Sequence, residues 1–457
     1  MLNTEVKTEL IQIVGAAGYL DRPEELACYS YDAFVEEALP DAVIFPKTTD
    51  EVSKILKTAG RYKIPVTGRG AGTSVCGAPI PVRHGIVLCF SKMDKIIEVN
   101  TRDRYIIVQP GVVNADIQKA LSPFGFFYPP DPGSMNSSTI GGNIAQNAGG
   151  PRCLKYGVTV DYVLGLEVVL ASGDIIRFGS KNIKDVTGYK LSSLFSGSEG
   201  TLGIITEAIL KVLPKPEAVK TLMVTFDDLD NTARAVTDII GSGILPAAME
   251  LMDQLTLNAI EDSANLGLDR NAQGALLIEI DGVKEACDKE MKKIIEKLKE
   301  NGAVHIQEAG SDIERDKLWT ARRSAYGVFA KLAPDIVSED VTVPVSKVPE
   351  MIRRIIEITE RYGLRVGVLA HAGDGNMHPM IPADKGNIEE WQRVEKAFSE
   401  IFKAAADLDG TLSGEHGIGL AKSAYLPLVM NQSTINFMKK IKHAIDPDGI
   451  LNPGKFV

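Results

Sequence analysis

Two short segments far apart hold half of the chain's histidines. One runs His371-Ala372-Gly373-Asp374-Gly375-Asn376-Met377-His378 and the other Gly414-Glu415-His416-Gly417-Ile418-Gly419. Three imidazoles and a carboxylate, His371, His378, Glu415 and His416, therefore stand among glycines that let the backbone turn tightly. Neutral imidazole and carboxylate ligands suit Zn²⁺, Fe²⁺ or Mn²⁺, and such a cation polarises a bound hydroxyl and lowers its pKa. A lone loop histidine is more often structural or idle, but four such groups in two glycine-framed motifs reverse that weighting. They are the composition of a metal site with a spare base beside it. His84, His305 and His443 receive no role.

The elements around these groups are bounded by composition. At 457 residues the chain exceeds what one hydrophobic core usually serves, so two or three domains are expected. With 44% hydrophobic and 24% charged residues it reads as an ordinary globular protein. A net charge of -10 argues against a nucleic-acid binder, yet local arginines still suit a small anionic substrate. Cys28, Cys76, Cys89, Cys153 and Cys287 are scattered, without a C-x₂-C pair, so a reduced, cytoplasmic setting is expected and no iron–sulfur cluster. No signal-peptide pattern opens the chain, and no run reaches the roughly 20 apolar residues of a membrane helix.

Residues 1 to about 36 read as a helical lead-in. From Ala42 short apolar strands alternate with helices: AVIFP is a strand, TTDEVSKILKTAGRYK a helix opening on a Thr/Asp cap, and IPVTGRGAGTS a strand running into a glycine loop. Further strands are expected at GIVLCF, YIIVQPGV, VLGLEVVLASG and GIITEAILKVLP. Pro214 and Pro216 mark a boundary. Beyond it, strands such as TLMVTF and GALLIEI alternate with long helices in a second α+β domain. The tail ends in DPDGILNPGKF, turn chemistry that implies a structured landing. The domains expected are 1–215, 216–413, and a C-terminal segment, 414–457, returning to the first.

Three glycine-rich segments lie in the first domain. Gly68-Arg69-Gly70-Ala71-Gly72-Thr73-Ser74 follows a strand, and its amides and hydroxyls can converge on an anion. It matches neither the Walker nor the Rossmann pattern, and alone it is equally well a structural turn. The run Ser137 to Gly150 is so small-residued that something large and flat can lie against bare backbone, with Asn143 and Asn147 to bond polar edges. Ser196 to Ile205 again presents backbone beside an apolar strand.

These segments in this order, with PKTTDEV before them and LNPGK at the end, resemble the FAD-binding type 4 domain of the vanillyl-alcohol oxidase/p-cresol methylhydroxylase superfamily. The histidine motifs narrow the resemblance to its D-2-hydroxyacid dehydrogenases, among them FAD-linked D-lactate dehydrogenase and the glycolate oxidase catalytic subunit. It covers nearly the whole chain. It implies an α+β fold: a two-subdomain FAD-binding domain, an α+β cap domain, and a C-terminal helical segment.

By that resemblance Gly68, Arg69, Gly70, Ala71, Gly72, Thr73 and Ser74 wrap the FAD pyrophosphate. Pro132, Gly133, Ser134, Gly141, Gly142, Asn143 and Ala148 lie along the flavin and ribityl chain. Gly200, Gly203, Ile204 and Ile205 approach the adenine side, and Asn452 reaches back towards the isoalloxazine. Thr73 stands where some relatives carry a flavin-linking histidine, so FAD is expected to be non-covalent. His371, His378 and Glu415 would hold the divalent metal (Zn, Fe or Mn), His416 would be the general base, and Arg322, favoured over Arg323, would meet the substrate carboxylate.

Hydroxyglutarate-type relatives carry a lysine before Val-Pro, where this chain has Val337-Ser338-Glu339-Asp340-Val341-Thr342-Val343-Pro344. A monocarboxylic substrate is therefore expected, D-lactate first and glycolate second. Electrons would leave to a protein partner, electron-transferring flavoprotein or an iron–sulfur subunit. One rival is a non-catalytic relay subunit, against which the intact histidine set speaks. The other is an iron-dependent oxygenase, which the glycine segments disfavour.

Overall fold

The computed structural model describes residues 2–265 and 267–456. The chain divides into two units. The first comprises Met1–Gly149, Val158–Lys215 and Glu415–Val457, the second Gly150–Gly157 and Pro216–Gly414.

In the first unit one sheet is ordered Tyr19–Leu20, Ala42–Ile44, Ile86–Cys89, Val66–Arg69, with the last three strands parallel. Parallel strands are covered on both faces, which is why AVI and IVLC are apolar without alternation and wholly buried. The helix Thr49–Tyr62 covers this sheet through Val52, Ile55, Leu56 and Ala59. Thr48 caps it, its hydroxyl accepting from the Glu51 amide at 3.2 Å, and Lys63 ends it in the left-handed conformation. The lead-in differs from expectation. Its helix, Thr4–Val14, stops at Gly15, and Tyr19–Leu20 pairs antiparallel with Ala42–Ile44, so the sheet gains an edge strand.

The second sheet of this unit is antiparallel, ordered Ile96–Asn100, Tyr105–Val108, Ile204–Lys211, Val163–Val169, Ile175–Gly179. The two outer strands are absent from the sequence reading: each is five residues long with a charged residue at its centre, Glu98 or Arg177, so no apolar run in it exceeds two residues.

The second unit is built on an antiparallel sheet ordered His305–Glu308, Ala218–Phe226, Gly274–Gly282, Ala248–Asp253, Gly367–His371, Asn376–Ala383, Asp335–Ser338, with Val341–Thr342 also paired to Asn376–Ala383. One face carries the helices Gln254–Ala264 and Asp312–Phe329, whose Leu257, Ile260, Trp319, Ala325 and Phe329 pack with Ala248, Met252, Leu369 and Met380 of the strands. Gly150–Gly157 joins this unit through Lys155 and Tyr156, which bond the Asp281 carboxylate at 2.5 and 2.7 Å. All five cysteines are free. Among the described residues no helix is long and apolar enough to cross a membrane.

Candidate functional site

The three glycine segments of the first unit meet. A Cβ on Gly70 would lie 2.1 Å from the Thr139 hydroxyl, so the first segment touches the second at a distance only glycine permits. The second and third are tied by backbone bonds from Gly197 to Ile144 (2.9 Å) and from Glu199 to Ala145 (2.8 Å). The buried Arg69 Nη1, Ser138 Oγ, Thr139 Oγ1, Asn143 Nδ2 and Ser196 Oγ have no protein partner. Buried polar groups are rarely left unpaired, so this concentration fits a polar cofactor that supplies the missing bonds.

The glycines sort into two kinds. Side chains on Gly133 or Gly200 would meet nothing within 4 Å, and one on Gly142 only ordinary contact with Thr139. These leave room for a cofactor. Gly141 and Gly203 have a packing reason instead, because a Cβ there would collide with Pro110 at 2.5 Å or Val168 at 2.5 Å. Ile204 belongs to the hydrophobic core of the neighbouring sheet. Ala148 donates its amide to Asn143 O, and the Pro132 carbonyl accepts from Met135, so both segments are held by their own backbone. Ser74 Oγ accepts from the Cys76 amide at 3.3 Å. The Arg69 guanidinium stacks over Tyr29 at 5.8 Å, and burial lowers its pKa.

Asn452 is buried and held by protein groups. Its amide donates to the carbonyls of Ala78 (3.0 Å) and Glu199 (2.7 Å), and its oxygen faces the Thr67 hydroxyl and the Lys455 ammonium, both at 3.3 Å. With both donors engaged, the side chain clamps the tail to the third glycine segment. Burial pulls the neighbouring Lys455 down to about 8.

The segment bearing Glu415 and His416 is fixed to the same elements. The Glu199 carboxylate accepts from the amides of Ile418 (2.7 Å) and Gly419 (2.8 Å). Gly417, at φ 90, could not carry a Cβ without meeting Gln146 Oε1 at 2.2 Å, and Gly419 could not without meeting Cys76 O at 2.2 Å. His416 is thus held beside the second and third glycine segments. Burial raises the pKa of Glu199, while the two amides and nearby Lys455 and Lys422 oppose that rise.

In the second unit His371 ends the strand Gly367–His371 and His378 lies on Asn376–Ala383, the two joined by a tight turn. Gly375, at φ 85, makes the turn against Val343 O, where a Cβ would sit 2.0 Å away. His371 pairs with Asn376, so His378, two residues on, is its diagonal neighbour on the same face. The rings stand edge to face, 5.0 Å between centroids, and both are buried. Glu250 lies directly opposite His371 on the next strand, and its carboxylate oxygens are 2.8 and 2.9 Å from His371 Nδ1. Arg322, on the covering helix Asp312–Phe329, pairs with Glu250 at 2.5 Å, and its buried Nε has no protein partner. Arg323 is exposed and stacks over Trp319 at 5.8 Å.

The last residue of this unit, Gly414, is pinned by Asp340, whose carboxylate accepts from the Gly414 amide (2.6 Å) and the Ser413 hydroxyl (3.0 Å). Glu415 follows by one peptide bond. Sequence reasoning missed Glu250, Asp340 and Glu199. All three acids are buried; Glu250 and Glu199 stand alone in an apolar and a glycine-rich run, an oddity that was the available signal, whereas Asp340 follows Ser338 and Glu339 and has none.

The first unit thus offers a glycine-lined surface with unpaired buried polar groups, of the kind an FAD-linked oxidoreductase requires, and the second unit holds a buried histidine pair. The comparisons with known proteins agree. Residues 40–179 match the FAD binding domain and residues 215–456 the C-terminal domain of FAD linked oxidases. The chain belongs to the FAD-linked oxidase family. It is 48% identical over 456 residues to the glycolate oxidase subunit GlcD of Bacillus subtilis, covering 100% of this chain and 97% of that one. It is 37% identical over 419 residues to a D-lactate dehydrogenase of Archaeoglobus fulgidus, covering 91% of each. Among solved structures, p-cresol methylhydroxylase shares the fold with a TM-score of 0.82 at 19% identity, over 99% of this chain and 96% of that one.

Proposed function

We propose that this chain oxidises a short 2-hydroxyacid to its 2-oxoacid and passes the electrons to a protein partner. The observation that carries the reading is the buried pair His371 and His378 on one sheet face, with a carboxylate behind the first ring. His371, His378 and Glu415 each offer one ligand atom of the kind a divalent cation takes. Such a cation supplies Lewis acidity, which lowers the pKa of a bound hydroxyl, and FAD supplies the hydride acceptor.

The chain's own groups do the rest. His416 takes the hydroxyl proton on an imidazole nitrogen, a fitting acceptor at neutral pH. Arg322 orients the substrate carboxylate through the donor that Glu250 leaves unspent. The base stays in place because the amides beyond it are held by Glu199.

For the substrate, the segment before Val343-Pro344 offers no lysine for a second carboxylate, which supports a monocarboxylic acid. D-lactate and glycolate differ by one methyl group, and the 48% identity to a glycolate oxidase subunit favours glycolate as the second reading. A relative named as a subunit also supports a multi-subunit assembly as the route for electrons. The test is the rate of anaerobic flavin reduction by D-lactate, L-lactate, glycolate and D-2-hydroxyglutarate. Faster reduction by D-2-hydroxyglutarate than by either short acid would contradict the proposal.

A further inference from the structure

Within the second unit one carboxylate serves two of the groups just assigned. Glu250 is fully buried, faces His371 Nδ1 at 2.8 and 2.9 Å, and pairs with Arg322 Nη2 at 2.5 Å. Arg322 Nη2 also lies 3.5 Å from His371 Nδ1, which leaves the ring's proton to be assigned.

The chemistry of the three groups settles it. An ionised carboxylate only accepts, and a guanidinium only donates. If Nδ1 carried a lone pair facing Glu250, two acceptors would meet at 2.8 Å in a buried site. With the proton on Nδ1 the ring donates to Glu250, Arg322 donates to the same carboxylate, and the 3.5 Å approach is a contact between donors. In the neutral ring the lone pair then lies on Nε2.

Resting on the metal reading above, we infer that Glu250 is a positioning residue: it fixes His371 as the Nδ1–H tautomer, so that Nε2 is the metal-ligating atom, and it anchors Arg322 with the same carboxylate. Carboxylates behind ligating histidines fix ring orientation and raise ligand basicity, and losing one typically weakens metal binding 10–100-fold. The strand register supplies the geometry, since Glu250 and His371 are paired residues on adjacent strands.

The test has two readouts. In wild-type protein labelled with ¹⁵N-histidine and free of metal, the His371 signal, assigned by its loss in His371→Gln, is expected to be that of the Nδ1–H tautomer. An Nε2–H tautomer would overturn the inference. In Glu250→Gln, Zn²⁺ affinity measured by chelator competition is expected to fall roughly 10–100-fold while FAD content is retained. An affinity within twofold of wild type would also overturn it. Because Glu250→Gln strands the buried Arg322 charge, the double variant Glu250→Gln/Arg322→Gln is measured as well, and the same loss is expected. If wild type takes up no divalent cation, the metal reading fails, and the tautomer alone decides whether Glu250 sets His371.

Discussion

Glu199 and Gly419 lie 220 residues apart in the chain, yet the carboxylate of the first accepts the amide of the second at 2.8 Å. The Ile418 amide completes the pair at 2.7 Å. One acid in the third glycine segment thus fixes the backbone that carries His416. Glu199 itself sits at φ 53, a conformation non-glycine residues adopt at a cost, so its placement is held by these bonds.

Glu199→Gln keeps one acceptor and replaces the other with a donor facing an amide. A hydrogen bond to a charged group contributes roughly 1.5–3 kcal/mol, so kcat is expected to fall about 10–100-fold with flavin content unchanged. Steady-state kinetics and the flavin-to-protein absorbance ratio check this. A variant within twofold of wild type would show that the bonds do not position the base.

At Gly417 the backbone is left-handed and a Cβ would overlap Gln146 Oε1. Gly417→Ala is expected to cost about 1–3 kcal/mol of local strain and to displace His416, lowering kcat at least 100-fold. Gly241→Ala, at the end of the helix Leu229–Gly241 where a Cβ meets nothing within 4 Å, serves as the control and should fold and turn over normally. Thermal melts of both, alongside kcat, decide the matter.

His416→Asn removes the assigned base without removing a Glu199 contact. General bases contribute about 10²–10⁴-fold, and that loss in flavin reduction rate is expected while FAD remains bound. Stopped-flow reduction measures it, and an unchanged rate would return the base assignment to another group.

Asp253, which caps the helix Gln254–Ala264 by accepting from the Thr256 amide at 2.9 Å, is pushed up from 3.8 to about 6 by burial. Its folded-state value lies above its unfolded one, so the native state binds the extra proton. That contribution to stability is full below pH 4 and lost as pH rises through about 6. Asp253→Asn keeps a cap acceptor without the charge. Relative to this variant, wild type is expected to lose on the order of 3 kcal/mol between pH 4 and pH 7. Urea unfolding of both across that range checks the sign, and a pH-independent difference would refute it.

What was legible in the sequence depended on how local its cause is. The helix Thr49–Tyr62 was readable because its cap, period and apolar stripe all lie within 16 residues of chain. The glycine segments were readable because collisions such as those at Gly70 and Gly417 leave no other residue possible. Glu250 was not, because AMELMD reads as a buried strand with one stray acid, and its partner His371 is set by a register between strands 121 residues apart. Asp340 stood in a segment read for the lysine it lacks, while its bond to Gly414 depends on a chain crossing that no local pattern encodes. The bonds from the Asn452 amide to Ala78 and Glu199 were likewise hidden, because they join positions 374 and 253 residues apart in the chain.

The proposed reaction needs both a divalent cation and FAD to act on a short 2-hydroxyacid. The most direct measurement is the visible flavin absorbance of anaerobic protein on adding D-lactate or glycolate, before chelation, after it, and after Zn²⁺ or Mn²⁺ is restored. Bleaching by at least one of the acids is expected, with its loss on chelation and its return with metal. Bleaching that survives complete metal removal, or no bleaching by either acid in the fully loaded protein, would contradict the proposal.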